Sequence, residues 1–183
     1  MKKFISVALL FVAMLVCGSV MAAQPKAKEF LGEWRVSDDT VSLILGEVPT
    51  EMGDASFGCV IDFVSKSKVE VYIDANLQFS IDEGVNMVMT FGCKLDCNWK
   101  YKKGVLNIEY YDINAWLEDL KLEPNDPEFQ MAIEMFRPSV EEEMSRIIID
   151  SFKGLPVVES GDVTINGDKM IIFDGGNCLV LER

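Results

Sequence analysis

The groups in this chain that could do chemistry are carboxylates and thiols, because it contains no histidine. That absence excludes Ser-His-Asp and Cys-His nucleophilic pairs and every histidine-based zinc or iron site. Catalysis would have to run on acids, lysine, tyrosine or cysteine. Acids abound, with 30 Asp and Glu against 17 Lys and Arg. Yet no pair among Glu109, Asp112 and Asp174 stands out as the two carboxylates, roughly 5–9 Å apart, that a glycosidase requires. Asp174-Gly175-Gly176-Asn177 lacks the acidic ladder of a calcium loop and reads as a hairpin turn. The expectation is a protein that is not an enzyme and carries neither metal nor cofactor.

What the thiols can do depends on compartment, and the first 23 residues speak to that. Met1-Lys2-Lys3 is a positive start, Phe4 to Val16 an apolar run, and Val20-Met21-Ala22-Ala23 a small-residue cleavage site. That order is a secretory signal peptide, which predicts an exported, periplasmic or secreted domain over residues 24–183. The alternative is a lipoprotein anchored through Cys17, although Val16 stands where a lipobox wants a smaller residue. No later apolar stretch of about 18 residues suggests a membrane span. The net charge of -13 argues against nucleic acid and anionic lipid as partners.

Four cysteines follow the signal: Cys59, Cys93, Cys97 and Cys178. An even count in an exported protein predicts two disulfides. Cys93 and Cys97 could close a hairpin, which leaves Cys59 with Cys178. If residues 93–97 are instead one extended strand, their sulfurs stand about 13 Å apart and cannot bond.

The elements that must position these groups are mostly strands. Gly32 to Val36 opens the first, and Thr40 to Leu45 continues apolar after an Asp38-Asp39 turn. Leu45 to Ser56 reads as a loop. Alternation then runs through Phe57, Cys59, Ile61 and Phe63, through Val69 to Ile81, through Val85 to Phe91, and returns at Leu106, Ile108 and Tyr110. Period two with regular turns is the signature of an antiparallel meander. The pattern changes at Asp112. Asp126-Pro127 starts a helix carrying Phe129, Ile133 and Phe136, and Pro138 breaks it. Ser139 and Glu142 form a capping box for a second helix, with Met144 and Ile148 on its stripe and Gly154 as its stop. Strands resume around an Asn166-Gly167 turn. One mainly β domain of about eight to ten strands follows, with a two-helix insertion over roughly 126–154 before the last strands.

Such a meander avoids exposed edges by closing into a barrel. Phe30-Leu31-Gly32-Glu33-Trp34 resembles the G-x-W motif that opens the first strand of lipocalins and related calycins. The chain is also similar to the exported lipocalin-like domains common in Bacteroidetes, through Asn98-Trp99-Lys100-Tyr101 and Ile165 to Met170. The resemblance implies that Trp34 plugs one barrel end and that Arg183, from the last strand, packs over it. A second lipocalin motif of T-D-x-Y type is missing, and the helices precede the last strands where a lipocalin's helix follows them.

If the barrel closes, Phe63, Val71, Phe79, Met89, Phe91, Leu106 and Ile108 are the candidates to line a cavity for a small hydrophobic ligand. The same side chains could simply fill a small barrel. The leading expectation is a non-enzymatic binding protein for an apolar ligand. The alternative is an interaction protein, an inhibitor or an envelope-complex subunit, with a packed barrel.

Overall fold

A computed structural model describes residues 24–46, 54–82, 84–124, 126–153, 158–174 and 177–183. The expected signal segment with Cys17, most of the Leu45–Ser56 loop and the Gly154 helix stop lie outside them. Eight antiparallel strands pair in sequence order, and the last pairs back onto the first. They are β1 Gly32–Val36, β2 Asp54–Phe63, β3 Lys68–Asp82, β4 Val85–Lys102, β5 Val105–Glu123, β6 Val158–Asn166, β7 Lys169–Asp174 and β8 Asn177–Glu182. The helices are α1 Ala27–Phe30, α2 Asp38–Gly46 and α3 Pro127–Lys153, the last lying between β5 and β6. The up-and-down meander expected from the alternation is the fold, and it closes into a barrel with its main helix ahead of the final strands.

Hairpin chemistry sets the register. Lys103 and Gly104 both take positive φ, 56° and 87°, as the tight turn between β4 and β5 requires. The β6–β7 loop is Gly167-Asp168, one residue later than the expected Asn166-Gly167 turn, because Asn166 already pairs with Lys169.

Thr40 to Leu45 is helical, not extended. Ser37 is buried, its Oγ accepts from the Thr40 amide at 3.4 Å, and Asp38 and Asp39 occupy the first turn where the helix dipole favours acids. This cap outweighs the β preference of Thr40 and Val41.

The change of pattern at Asp112 is a change of phase within one strand. Register shifts between β4 and β5 at Asp96/Cys97 and at Thr90/Phe91 insert an extra residue into β5 twice. Its apolar positions therefore run Leu106, Ile108, Tyr110, then Ile113, Ala115, Leu117, then Leu120, Leu122. Two bulges keep the same face apolar while breaking the alternation in the sequence.

The two expected helices are one. Pro138 lies inside α3, and the Ser139–Glu142 capping box does not start a new helix. An interior proline costs about 3 kcal/mol through the lost N–H bond and a ring clash. The apolar stripe of Ile133, Val140, Met144 and Ile148 crosses it and packs on the sheet, which offsets that cost.

Helix α3 also covers an edge. Among the described residues, strand β5 pairs with β6 over Val105–Ile108. Beyond that, Ser145 Oγ donates to the Ala115 carbonyl at 2.9 Å, Arg137 Nη2 to the Glu118 carbonyl at 2.8 Å and Gln130 Nε2 to the Leu122 carbonyl at 3.2 Å. Gln130 to Ser145 spans about 22 Å of helix, and Leu122 to Ala115 about 23 Å of strand. The spacings match, so side-chain donors replace the missing strand along that edge.

Candidate functional site

Strands β3, β4 and β5 direct one unbroken apolar row to the inside. On β4 it is Val85, Met87, Met89, Phe91, Cys93, Leu95, Cys97, Trp99 and Tyr101, and on β3 every odd position from Val69 to Ile81 is apolar. Nothing charged faces inward on these strands. The row serves two compartments that differ in packing.

The first is the barrel body. Trp34, Trp99, Phe30, Phe63 and Leu106 are essentially fully buried, with 0–2% exposure. Phe30, brought in by α1, has its ring 5.5 Å from Phe63, 5.2 Å from Trp99 and 4.9 Å from Tyr101. Both indole N–H groups are satisfied: Trp34 donates to the Phe30 carbonyl at 2.6 Å and Trp99 to the Ser65 carbonyl at 2.7 Å. Arg183 places its guanidinium 4.1 Å from the Trp34 ring centroid and donates to the carbonyls of Leu31, Glu29 and Gly167. It thereby ties the last strand to the segment before the first.

The second compartment, the trough, is the apolar cluster that β3, β4 and β5 form with α3 at the other end. Met89, Phe91, Leu117, Leu120 and Leu122 form its floor, and Ile133 of α3 presses on them. Leu77, Phe79, Val85 and Met87 pack there but remain half-buried. Ile81, at the end of β3 on the same face, is half exposed.

The seven candidate lining residues therefore divide. Phe63, Val71, Leu106 and Ile108 belong to the barrel body, and Phe79, Met89 and Phe91 to the trough. They fall in two packed clusters. The division was hidden because alternation reports which face a residue takes and not how far along a long strand the barrel closes. Leu77, Met87, Leu117, Leu120 and Leu122 were missed as trough residues; those on β5 lay behind the phase changes. Phe129, on the first turn of α3, is 45% exposed.

The thiols are core groups. Cys59, Cys93, Cys97 and Cys178 are all buried, and no disulfide joins any of them. The expected 93–97 bridge fails because β4 passes through both residues as one extended strand. Cys59 and Cys178 lie on β2 and β8, which are separated by β1. Burial pushes the Cys59 and Cys97 thiols up to about 12 and Cys93 to about 11. Such thiols are poor nucleophiles at neutral pH.

The carboxylates lie elsewhere. Glu109 and Asp112 are on the outside of β5, where Asp112 accepts the Ile113 amide at 3.1 Å. Asp174 ends β7, where its backbone pairs with that of Asn177. Among the described residues no group of three or more Cys, Asp and Glu could hold a metal ion, and no helix is long and apolar enough to cross a membrane.

Fold and site together define a closed eight-stranded antiparallel barrel with an apolar trough under an inserted helix. Comparison with protein-family models, with curated proteins and with solved structures finds no match in any of the three.

Proposed function

We propose that this protein is a non-enzymatic carrier or receptor that binds a small, uncharged, apolar ligand in the trough beneath α3, outside the cytoplasm and as a lipocalin-like domain. One observation carries the reading. The uncharged inward row of β3–β5 ends in Leu77, Phe79, Val85 and Met87, which the helix leaves half-buried. A partly exposed apolar surface of this kind suits apolar ligands, and Met87 and Met89 adapt to irregular shapes. The barrel body is the less suitable site because its buried aromatics pack on one another. The test is titration with the neutral fluorophore N-phenylnaphthylamine, with native mass spectrometry of the protein after exposure to lipid extract. Binding that Met87→Lys abolishes and Val71→Ala retains supports the trough. Binding lost with Val71→Ala and kept with Met87→Lys moves the site into the barrel.

A second reading, an interaction protein such as an inhibitor or envelope-complex subunit, draws on Phe129, Met131, Met135 and Phe136. These α3 side chains are 45%, 72%, 77% and 65% exposed, and large exposed apolar groups suit a protein partner. Neither probe binding nor a retained lipid, together with a co-purifying protein lost on Met135→Glu, would favour it.

A further inference from the structure

We infer that the first half of α3, Pro127–Arg137, is a lid that swings about Pro138 to open and close the trough. The inference rests on the apolar-ligand reading for its purpose, and on α3 itself for its mechanics.

The two halves of α3 are held differently. After Pro138, Ile148, Ile149 and Phe152 pack against the barrel core, Ser145 Oγ donates to the Ala115 carbonyl, and Tyr110 donates its hydroxyl to the Phe152 carbonyl at 2.9 Å. Before Pro138, Ile133 is the buried side chain among the described residues. Among the described residues, side-chain bonds attach that half to β5 from Gln130 to the Leu122 carbonyl and from Arg137 to the Glu118 carbonyl. Between the halves stands a residue with no N–H, so the Glu134 carbonyl lacks its helical donor there. A helix interrupted in this way bends at the interruption.

The stripe itself is seated on one side only. Phe129, Ile133, Phe136 and Val140 recur at i, i+4, i+7 and i+11, so they share a face of the helix. Ile133 is 6% exposed, yet Phe129 and Phe136 on the same face are 45% and 65% exposed. On the sheet, Leu77, Phe79, Val85 and Met87 pack against the cluster that Ile133 joins and stay only partly buried. Both surfaces keep apolar area in contact with water. Motion of the first half toward the sheet, or a ligand between the two, buries both. Motion away opens the path to Met89 and Phe91.

Hydrogen exchange on the full domain without ligand tests the hinge directly. Amides of 129–137 should exchange at least tenfold faster than those of 141–152. Uniform protection along α3 overturns the lid. Stopped-flow mixing with N-phenylnaphthylamine tests the gate. Pro138→Ala restores the donor to Glu134 and should slow both association and release several-fold, with affinity changed less than twofold. Arg137→Gln removes the tie to Glu118 and should speed both, which keeps the test informative if Pro138→Ala folds poorly. Rates unmoved by either variant overturn the gate. An exchange contrast without probe binding to the unaltered protein supports the hinge while overturning the ligand reading.

Discussion

The barrel body and the trough are built from the same three strands and finished to different standards. In the body, Trp34, Phe30, Phe63, Trp99 and Leu106 are shut away from water and both indoles are hydrogen-bonded. In the trough, the same inward row of β3 and β4 ends in half-buried Leu77, Phe79, Val85 and Met87. Strand patterning does not differ between them; what crosses the strands does. Around the body the ring closes through β1 and β8, and α1 delivers Phe30 as a plug. Over the trough lies one helix, attached along the β5 edge. Alternation decides which face is apolar, and closure decides whether that face is packed solid or left adaptable.

The sharpest break of this contrast comes from truncating one aromatic at each end. Trp34→Ala should cost about 3–5 kcal/mol in urea unfolding, as loss of a filled aromatic site does, and it also removes the ring beneath Arg183. Phe79→Ala should cost less than half of that, since its site already meets solvent, while weakening probe binding. Equal costs would mean that the trough is packed like the body.

The buried thiols provide the next largest effect, confined to alkaline pH. A thiol held up to about 12 in the fold, against an ordinary value near 9, stays protonated after its unfolded counterpart has ionised. Stability from Cys59 is therefore complete below about pH 9 and falls by about 1.4 kcal/mol per pH unit as pH rises toward the folded value. Cys59→Ala should flatten the decline between pH 9 and pH 11 by about that slope, measured by urea midpoints at each pH. Thiol titration should correspondingly find no reactive cysteine in the native state and four after unfolding of residues 24–183.

Much of this fold was legible from residue types alone, and the failures have physical causes. The strand faces, the first strand and the start of α3 at Pro127 follow from alternation and from an Asp-Pro helix start. Strand β5 was cut short because each bulge reverses the parity that alternation counts. Helix α3 was divided because the cost of Pro138 can be read from sequence while the tertiary stripe that offsets it cannot. Helix α2 was misread because Thr40 and Val41 favour strands in isolation, and Ser37 as a cap was overlooked. For the site, apolar lining residues were recognisable as inward-facing, but their division between two compartments depends on where β1, β8 and α3 cross them.

A smaller effect lies where the two compartments meet, on the outside of the sheet. Gly92 pairs with Trp116, and a Cβ at Gly92 would fall 2.2–2.5 Å from the indole ring. The ring thus takes the place of the side chain that glycine lacks, on a strand that glycine alone would weaken. Gly92→Ala should cost about 1–3 kcal/mol by displacing Trp116. With Trp116→Ala already present, the same change should be neutral or slightly stabilising, since alanine lowers the entropy lost on folding. A cycle of the two substitutions measures the coupling, and additivity would show that the ring has room to move aside.

The smallest expected effect is on the outer face of the packed end. Lys94 Nζ lies 3.1 Å from both Glu70 and Asp96, and 5.5 Å from the Tyr72 ring, while Tyr72 donates its hydroxyl to Glu70. The Tyr72 hydrogen bond, and then Lys94, hold the Glu70 carboxyl below the ordinary carboxylate range. A lowered carboxylate stabilises the fold above its unfolded value, and that contribution is lost as pH falls through the folded one. These groups are largely hydrated, so screening keeps the contribution small. Lys94→Met should shift the urea midpoint less than any variant above at neutral pH. The shift should shrink further in high salt and vanish in acid. A shift as large as that of Trp34→Ala, or one indifferent to acid and salt, would place the stability of the packed end on its surface and not in its aromatic core.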